Sequence, residues 1–330
     1  KTQERRKERN IARKKTQRLG IPNFGNTCYI NATTQLIAST RLRSLSYADT
    51  TLPSVEQRDE KGCTLGQLLN LRSSLANVLM GIIHKEKSGQ EERTSSYLDS
   101  LESTLGGDLG DTLYEQNDPA ELLDNLISLL SSPGSEIGVN FGESVELKGR
   151  DEVTFYEKSE HFVYVPIESS GSLQQAFNKV FIPETTLVAS SQESKVKHYT
   201  KRRAIVSPPE TLLLQLGRFG GDWGERKIFN KVKIPKLLSV PIYSSEGDRL
   251  SLKPEKIINY RLKTVVAHLG FSRDCGHYVA YSFDNKNNKL YVTLYDDERV
   301  TAAKKKDISV IYKNAYLVSY EPQKGGPAGT

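Results

Sequence analysis

Cys28 lies in the stretch GIPNFGNTCYINATTQL, residues 20–36, with two glycines before it and three asparagines around it. A helix beginning at or just after Cys28 would set its sulfur at the positive end of the helix dipole, beside unsatisfied backbone N–H groups. That position favours the thiolate, which is the nucleophilic form. Gly20 and Gly25 allow the approach to bend and come close to a bound chain. Asn23 and Asn26 offer neutral donors that can hold an oxyanion without competing for the proton. Read alone, the stretch fits equally a small buried thiol behind a turn and a helix cap. A nucleophile needs a base.

Five histidines are available: His84, His161, His198, His268 and His277. His84 falls on a helical pattern near charges and His198 in a basic stretch, so both read as surface residues, while His161 opens a strand. The other two share AHLGFSRDCGHYVAY, where Gly276 precedes His277 at the start of an aromatic strand. Further on, LYDDERV places Asp296 and Asp297 where a return strand ends. If residues 277–283 and 289–295 pair as a hairpin, His277 and Asp296 become cross-strand neighbours. A carboxylate there fixes the imidazole tautomer and stabilises the imidazolium. Cys28, His277 and Asp296 would then supply nucleophile, base and orienting group; the other reading of the two aspartates is a strand terminus.

The elements that must position these residues fall into two styles. Up to about Leu130 the apolar residues recur at helical spacing, and Leu65, Leu68, Leu69, Leu75, Val78, Leu79, Ile82 and Ile83 predict one buried stripe. NDPAELLDNLISLL predicts a second helix with Asp118 as N-cap, Pro119 in the first position and Glu121 completing a capping box. After about residue 140, HFVYVPI, ETLLLQLGRF, RLKTVVAHLGF, HYVAYSF, KLYVTLY and NAYLVSY are short β-branched or aromatic runs separated by Gly, Asn and Asp. A helical lobe followed by a largely antiparallel β lobe is the expectation.

Bulk properties narrow the class. The chain has 330 residues, 37% hydrophobic and 26% charged, enough for one large domain or two small ones. No run approaches the roughly 18 apolar residues of a membrane span. The lack of an initiating Met and of an apolar leader reads as an excised or processed chain. Three widely spaced cysteines, Cys28, Cys63 and Cys275, argue against a disulfide framework and a thiolate zinc site, and for a reducing compartment. Net charge is +6, yet residues 1–19 alone hold nine Lys or Arg against Glu4 and Glu8. This basic arm suits nucleic acid, an acidic membrane surface or a nuclear signal, but without interleaved aromatics or an apolar face the better reading is a solvated leader. KGGPAGT at the far end reads as a flexible tail.

With these residues in view, GIPNFGNTCYINATTQ resembles the Cys box of the ubiquitin-specific proteases, and YRLKTVVAHLGFSRDCGHYVAY with LYDDERV resembles their His box. EQNDPAELL is similar to the Gln-Asp box, and PPETLLLQLGRF to the strand that usually ends Leu-Lys-Arg-Phe. The matches run in family order across about residues 18–321. The resemblance implies an α+β, papain-like cysteine peptidase with a helical thumb and antiparallel β palm and fingers. It divides the chain into an arm (1–19), a catalytic domain (20–321; thumb about 20–135, fingers and palm about 136–321) and a tail (322–330). It also implies a deubiquitinating activity that hydrolyses the peptide or isopeptide bond after the terminal Gly-Gly of ubiquitin through a thioester, without a cofactor.

By the same resemblance Cys28 matches the nucleophile, His277 the general base, Asp296 the third member and Asn23 the oxyanion-hole side chain, with Asp297 a helper beside Asp296. Asp118 and Glu121 match acidic positions that meet the basic Arg-Leu-Arg-Gly-Gly tail of ubiquitin. Phe219, His268 and Tyr278 match residues lining a narrow passage that admits Gly-Gly and excludes larger side chains. The chain departs from the family where many members carry two Cys-x-x-Cys zinc pairs, since ELKGRDEVTFYE and ASSQESKVKHYTKRR contain no cysteine. Gly217, Pro119 and Thr34 replace the usual Lys, Ala and apolar residue, and Cys275 is an unusual addition beside His277, read as inert. The implied partner is ubiquitin or a ubiquitinated protein, bound by a monomer with no nucleic-acid role for the body. The implied setting is the cytoplasm or nucleus of a eukaryotic cell, a host cell if the source is a microbe. A protease for another ubiquitin-like modifier and a noncatalytic ubiquitin-binding module are the competing readings.

Overall fold

A computed structural model describes residues 18–47, 62–106, 115–131, 137–147, 153–167, 171–189, 196–220, 226–246, 249–272 and 275–323. The arm up to residue 17 and the tail from 324 lie outside these residues. The chain forms two compact units, one of residues 1–135, 218–231 and 263–319, the other of residues 136–217, 232–262 and 320–330. No helix among the described residues is long and apolar enough to cross a membrane.

The first unit carries helices α1 (Cys28–Ser39), α2 (Leu65–His84), α3 (Gln90–Leu105), α4 (Pro119–Leu130) and α6 (Lys305–Asn314), with a 3₁₀ turn at Arg41–Ser46. α1 is the central element: every residue from Cys28 to Ala38 is buried, as expected of a helix with neighbours on all sides. It packs on α2 and α4. Thr64 and Gln67 form a reciprocal capping box at the start of α2, and Lys85 ends it in the left-handed conformation.

Two details of the helical reading are corrected. Leu65 and Leu69 are exposed and Ile83 is only half-buried, while Leu68, Leu71, Arg72, Leu75, Val78, Leu79 and Ile82 form the buried face of α2. The three outliers lie one step around the helix, on the side that also exposes Met80. At α4, Asp118 is the N-cap and Pro119 opens the helix, but the carboxylate accepts from the second helical amide, Ala120 N at 2.8 Å, and not from the third as in a capping box.

The strands of this unit include β7 (Phe219–Gly220), β8 (Arg226–Lys227), β13 (Cys275–Lys286), β14 (Lys289–Asp296), β15 (Arg299–Ala302) and most of β12 (Lys256–Ser272) and β16 (Ala315–Pro322). Their order is β15-β14-β13-β12-β16. The predicted hairpin is present, with Ala280 opposite Tyr295. Its turn, Asn287-Asn288, has positive φ at both residues (49° and 57°), the backbone that a tight two-residue hairpin requires and asparagine tolerates. A second two-residue turn, Asp297-Glu298, joins Asp296 to Arg299. α1 packs across β13 and β14, which carries the start of the helix to the strands that hold His277 and Asp296.

The second unit contains a four-stranded antiparallel sheet, β2 (Val153–Glu160), β1 (Val139–Leu147), β5 (Val196–Ile205) and β4 (Glu184–Ala189), in that order. It also holds a parallel pair, β3 (Val163–Val165) with β6 (Leu212–Leu216), and β9 (Leu237–Ile242) against the first part of β12. Short strands β10 (Ser245–Glu246) and β11 (Arg249–Leu250) and helix α5 (Leu173–Lys179) complete it. In the four-stranded sheet, Glu143 stands opposite both Tyr156 and Arg203. Its buried carboxylate accepts from Tyr156 OH at 2.5 Å and pairs with Lys201 at 2.8 Å and Arg203 at 3.3 Å. Arg203 also pairs with Glu160 and stacks 3.6 Å over the Phe141 ring.

Candidate active site

The site is built within the first unit. Thr27 occupies the N-cap position of α1 without a side-chain cap bond, so Cys28 is the first helical residue and its sulfur sits at the positive end of the helix. Cys28 is 4% exposed, and Tyr278 N donates to its Sγ at 3.5 Å. His277, the preceding residue on β13, turns its ring toward the cysteine.

His277 Nε2 bonds Asp296 Oδ1 at 2.7 Å, which leaves Nδ1 as the nitrogen for Cys28. The register places the two residues diagonally rather than directly opposite: the paired residues end at Ala280 and Tyr295, so Asp296 falls two residues from His277's own level. The hydrogen bond with Cys28 is the main cause that pushes the His277 imidazole up to about 9; burial opposes it, while the Asp296 bond and the Cys28 and Asp297 charges add to it. An imidazolium beside the cysteine at neutral pH is the charge that activates a cysteine nucleophile.

Asp297 points elsewhere. Its Oδ2 accepts from Asn23 Nδ2 at 2.7 Å and its Oδ1 from Asn31 Nδ2 at 2.8 Å, and His277 Nε2 is 3.9 Å away. Asn31 Nδ2 also lies within 3.3 Å of Ile21 O and 3.2 Å of Pro22 O. The donor ends of these two amides join the approach to Cys28 to the turn after β14. Side-chain ligand atoms of His277, Asp296 and Asp297 lie within 4.8 Å of one another, close enough to share a divalent cation, but each of these residues already makes hydrogen bonds within the protein.

Phe219, His268 and Tyr278 form one aromatic cluster: ring centroids are 5.2 Å apart for Phe219–His268 and 4.8 Å for His268–Tyr278. Tyr316 joins it, 5.4 Å from Phe219 and 6.3 Å from Tyr278. His268 is fully buried; burial, then the Lys227 and His277 charges, push it down to about 4, so it is a neutral ring. Beneath it, Lys227 Nζ donates to His268 O at 2.6 Å, Gly270 O at 2.9 Å and Asn314 Oδ1 at 3.0 Å. Gly276 is obligatory here, since a Cβ would lie 2.3 Å from His268 Nε2.

Asp118 is 9% exposed; beyond its cap bond it accepts from Tyr316 OH at 2.6 Å. Glu121, one helical turn on, is exposed. Gln116 Oε1 accepts from Gly276 N at 3.0 Å, bracing the residue before His277. Sequence reasoning singled out neither Asn31, Tyr316, Lys227 nor Gln116 individually. Asn31 and Gln116 lie inside motifs that were recognised, so the motif itself was the available signal; Tyr316 and Lys227 act through pairings far apart in sequence.

A buried cysteine at a helix start, an imidazole facing it and a carboxylate behind the imidazole define the arrangement of a papain-like cysteine peptidase on an α+β frame. A family profile described as ubiquitin carboxyl-terminal hydrolase matches residues 19–320, and the chain belongs to that family. It is similar to Ubiquitin carboxyl-terminal hydrolase 25 of Arabidopsis thaliana, 25% identical, over 87% of this chain and 46% of that protein. It is also similar to Ubiquitin carboxyl-terminal hydrolase 17-like protein B of Mus musculus, 26% identical, over 92% of this chain and 64% of that protein. The chain therefore spans less than two thirds of either relative. Among solved structures, it shares its fold with a chain of the SAGA Ubp8/Sgf11/Sus1/Sgf73 DUB module bound to ubiquitin aldehyde, at TM-score 0.69 and 17% identity over 93% of this chain and 70% of that one.

Proposed function

We propose that this chain is a deubiquitinating cysteine protease that hydrolyses the bond after the C-terminal Gly-Gly of ubiquitin. The observation that carries the reading is the His277 imidazole held between Asp296, at 2.7 Å, and Cys28. The Cys28 thiolate attacks the carbonyl carbon of ubiquitin's last glycine, and the oxyanion is held by Asn23 and by backbone N–H groups at the start of α1. The His277 imidazolium gives its proton to the leaving lysine amine as the carbon–nitrogen bond breaks, leaving a thioester. Neutral His277 then takes a proton from water, the resulting hydroxide attacks the thioester, and Cys28 leaves as thiolate with ubiquitin's carboxylate released.

Substrate selection rests on the aromatic cluster of Phe219, His268, Tyr278 and Tyr316, which suits a side-chain-free Gly-Gly segment. Exposed Glu121 is better disposed toward the basic ubiquitin tail than Asp118, whose oxygens are held by Ala120 N and Tyr316 OH. The protein acts as a monomer in the cytoplasm or nucleus of a eukaryotic cell, a setting supported by the eukaryotic relatives and by three free cysteines.

Steady-state hydrolysis of a ubiquitin C-terminal fluorogenic amide tests the reading, with Cys28→Ala and the corresponding SUMO substrate as controls. Turnover of the ubiquitin substrate alone, abolished in Cys28→Ala, is expected. Preference for SUMO, or turnover that survives Cys28→Ala, contradicts it.

A further inference from the structure

Helix α3 opens on Gln90, Glu91 and Glu92 behind Gly89, which takes the left-handed backbone (φ 68°) and adds no side-chain cap bond. Two acids in a first turn answer the helix dipole. Gln90 has no such explanation: it is 8% exposed, and buried amides are normally bonded at both ends. Its Oε1 accepts from Arg93 Nη2 at 3.1 Å, whereas its Nε2 has no hydrogen-bond partner among the described residues. Turning the amide over would set N–H groups against the guanidinium, so the unpartnered end is the donor.

Gln90 stands in the wall of a cavity of about 430 Å³, within the size range of binding clefts. Glu91 and Glu92 line it from the same helix and Glu298 from the turn after β14, all three exposed, against the single cation Lys87 among the described lining residues. Leu19, Gly20 and Pro22 supply a further wall. Leu19 N donates to Ile82 O at 3.0 Å and Ile21 N to Asp297 O at 3.1 Å, which pins that segment to α2 and to the turn. Pro22 is followed by Asn23, and the segment runs on to Cys28.

The sheet order sets this cavity against the aromatic passage. In β15-β14-β13-β12-β16, His268, Tyr278 and Tyr316 occupy β12, β13 and β16, while Glu298 joins β14 to β15. His277 and Asp296 lie between. A tail that enters over the aromatic cluster brings its acyl carbon to Cys28, and the chain that carries the leaving amine continues toward the β14–β15 side. A peptide there offers a main-chain carbonyl to Gln90 Nε2, and its Lys or Arg side chains complement the three carboxylates.

We propose that this cavity is the subsite for the leaving protein: it takes the peptide around the modified lysine and favours basic residues there. The inference rests on the deubiquitinase reading above.

Two substrates test it, each with ubiquitin joined by an isopeptide bond to the lysine of a short peptide, the flanking residues being Arg and Lys in one and Glu and Asp in the other. At low ionic strength the basic substrate should have a kcat/KM about tenfold higher, the scale of a few exposed ion pairs, and the ratio should shrink at high salt. Combining Glu91→Gln, Glu92→Gln and Glu298→Gln should bring the ratio close to one. Gln90→Met keeps the bulk and removes the donor, and should slow both peptide substrates relative to its own rate on the peptide-free fluorogenic amide. Equal rates on the two peptides in the wild type, or a preference that survives the triple substitution, overturns the proposal. If the triple variant does not fold, Glu298→Lys, which lies outside α3, carries the same comparison: preference should move toward the acidic peptide, and an unmoved preference overturns the proposal. A wild type that turns over neither the amide nor either peptide removes the deubiquitinase reading and this inference with it, whereas a wild type active on the amide but indifferent to the peptide's charge removes this inference alone.

Discussion

His277 Nε2 stands 2.7 Å from Asp296 Oδ1, so the ring is oriented by the first of two adjacent aspartates and offers its other nitrogen to Cys28. The imidazole is pushed up to about 9, foremost by the bond with Cys28 and secondarily by Asp296. The consequences of this arrangement can be measured separately from those of the Asn23 network.

The pH dependence follows from the sign of that shift. A base whose folded pKa lies above its ordinary value near 6.5 contributes stability that is fully present below that value and is lost as pH rises through about 9. The same proton is needed by the leaving amine, so kcat/KM should fall above about pH 9. Asp296→Ala should move this limb toward neutral pH and cut kcat on the order of 10²-fold or more. A rate profile over pH 5–10 for both proteins is the check, and an unmoved limb would remove Asp296 from its role.

Asn23→Ala should lower kcat by on the order of 10²–10³, the usual cost of one oxyanion donor, with KM little changed. Its far-UV circular dichroism and melting temperature should stay close to the wild type's, because the side chain is exposed.

Gly20→Ala should damage fold and activity together. The added methyl would meet Asp297 O and Glu298 O at 2.4 Å, and backbone atoms cannot step aside as a flexible side chain can. A loss of about 1–3 kcal/mol, as for other overpacked sites, should appear in urea unfolding, accompanied by reduced turnover.

In the second unit, Glu143 offers a test unrelated to the chemistry. Burial tends to raise this carboxylate, but the Lys201 and Tyr156 hydrogen bonds and the Lys201 and Arg203 charges hold it below its ordinary value of 4.5. A lowered acid contributes stability that is present above its unfolded pKa and lost as pH falls through the lower folded one. Stability should therefore decline below about pH 4.5, and Glu143→Gln should flatten that decline. At neutral pH the substitution should cost about 1–3 kcal/mol, less than a fully enclosed pair because Lys201 is 46% exposed. Urea unfolding as a function of pH reads both effects.

Much of the site was legible in the sequence because its signals are local. A helix start at Cys28 and a hairpin that sets the start of one strand beside the end of the other are local features, and the structure holds Cys28, His277 and Asp296 close together on them. The helical reading failed where burial depends on what surrounds a helix: Leu65 and Leu69 satisfy the period of α2 yet face away from its packed side. The Asp118 cap was foreseen, but not that Tyr316, 198 positions away, would take its second oxygen. Lys227 likewise finds its acceptors on β12 and at the end of α6. Such long-range pairings leave no periodic trace. Asn23 was recognised as a donor, whereas its restraint by Asp297 depends on a two-residue turn whose backbone conformation no motif specifies.

The most direct test of the central claim is covalent capture: ubiquitin carrying a C-terminal electrophile is mixed with the protein, and the product is read by intact-protein mass spectrometry and peptide mapping. A one-to-one adduct on Cys28, absent in Cys28→Ala and slowed above about pH 9 as the imidazolium is lost, is the predicted result. An adduct on Cys275 or Cys63 instead, or ubiquitin binding with no adduct at all, would contradict the assignment of Cys28 as the nucleophile.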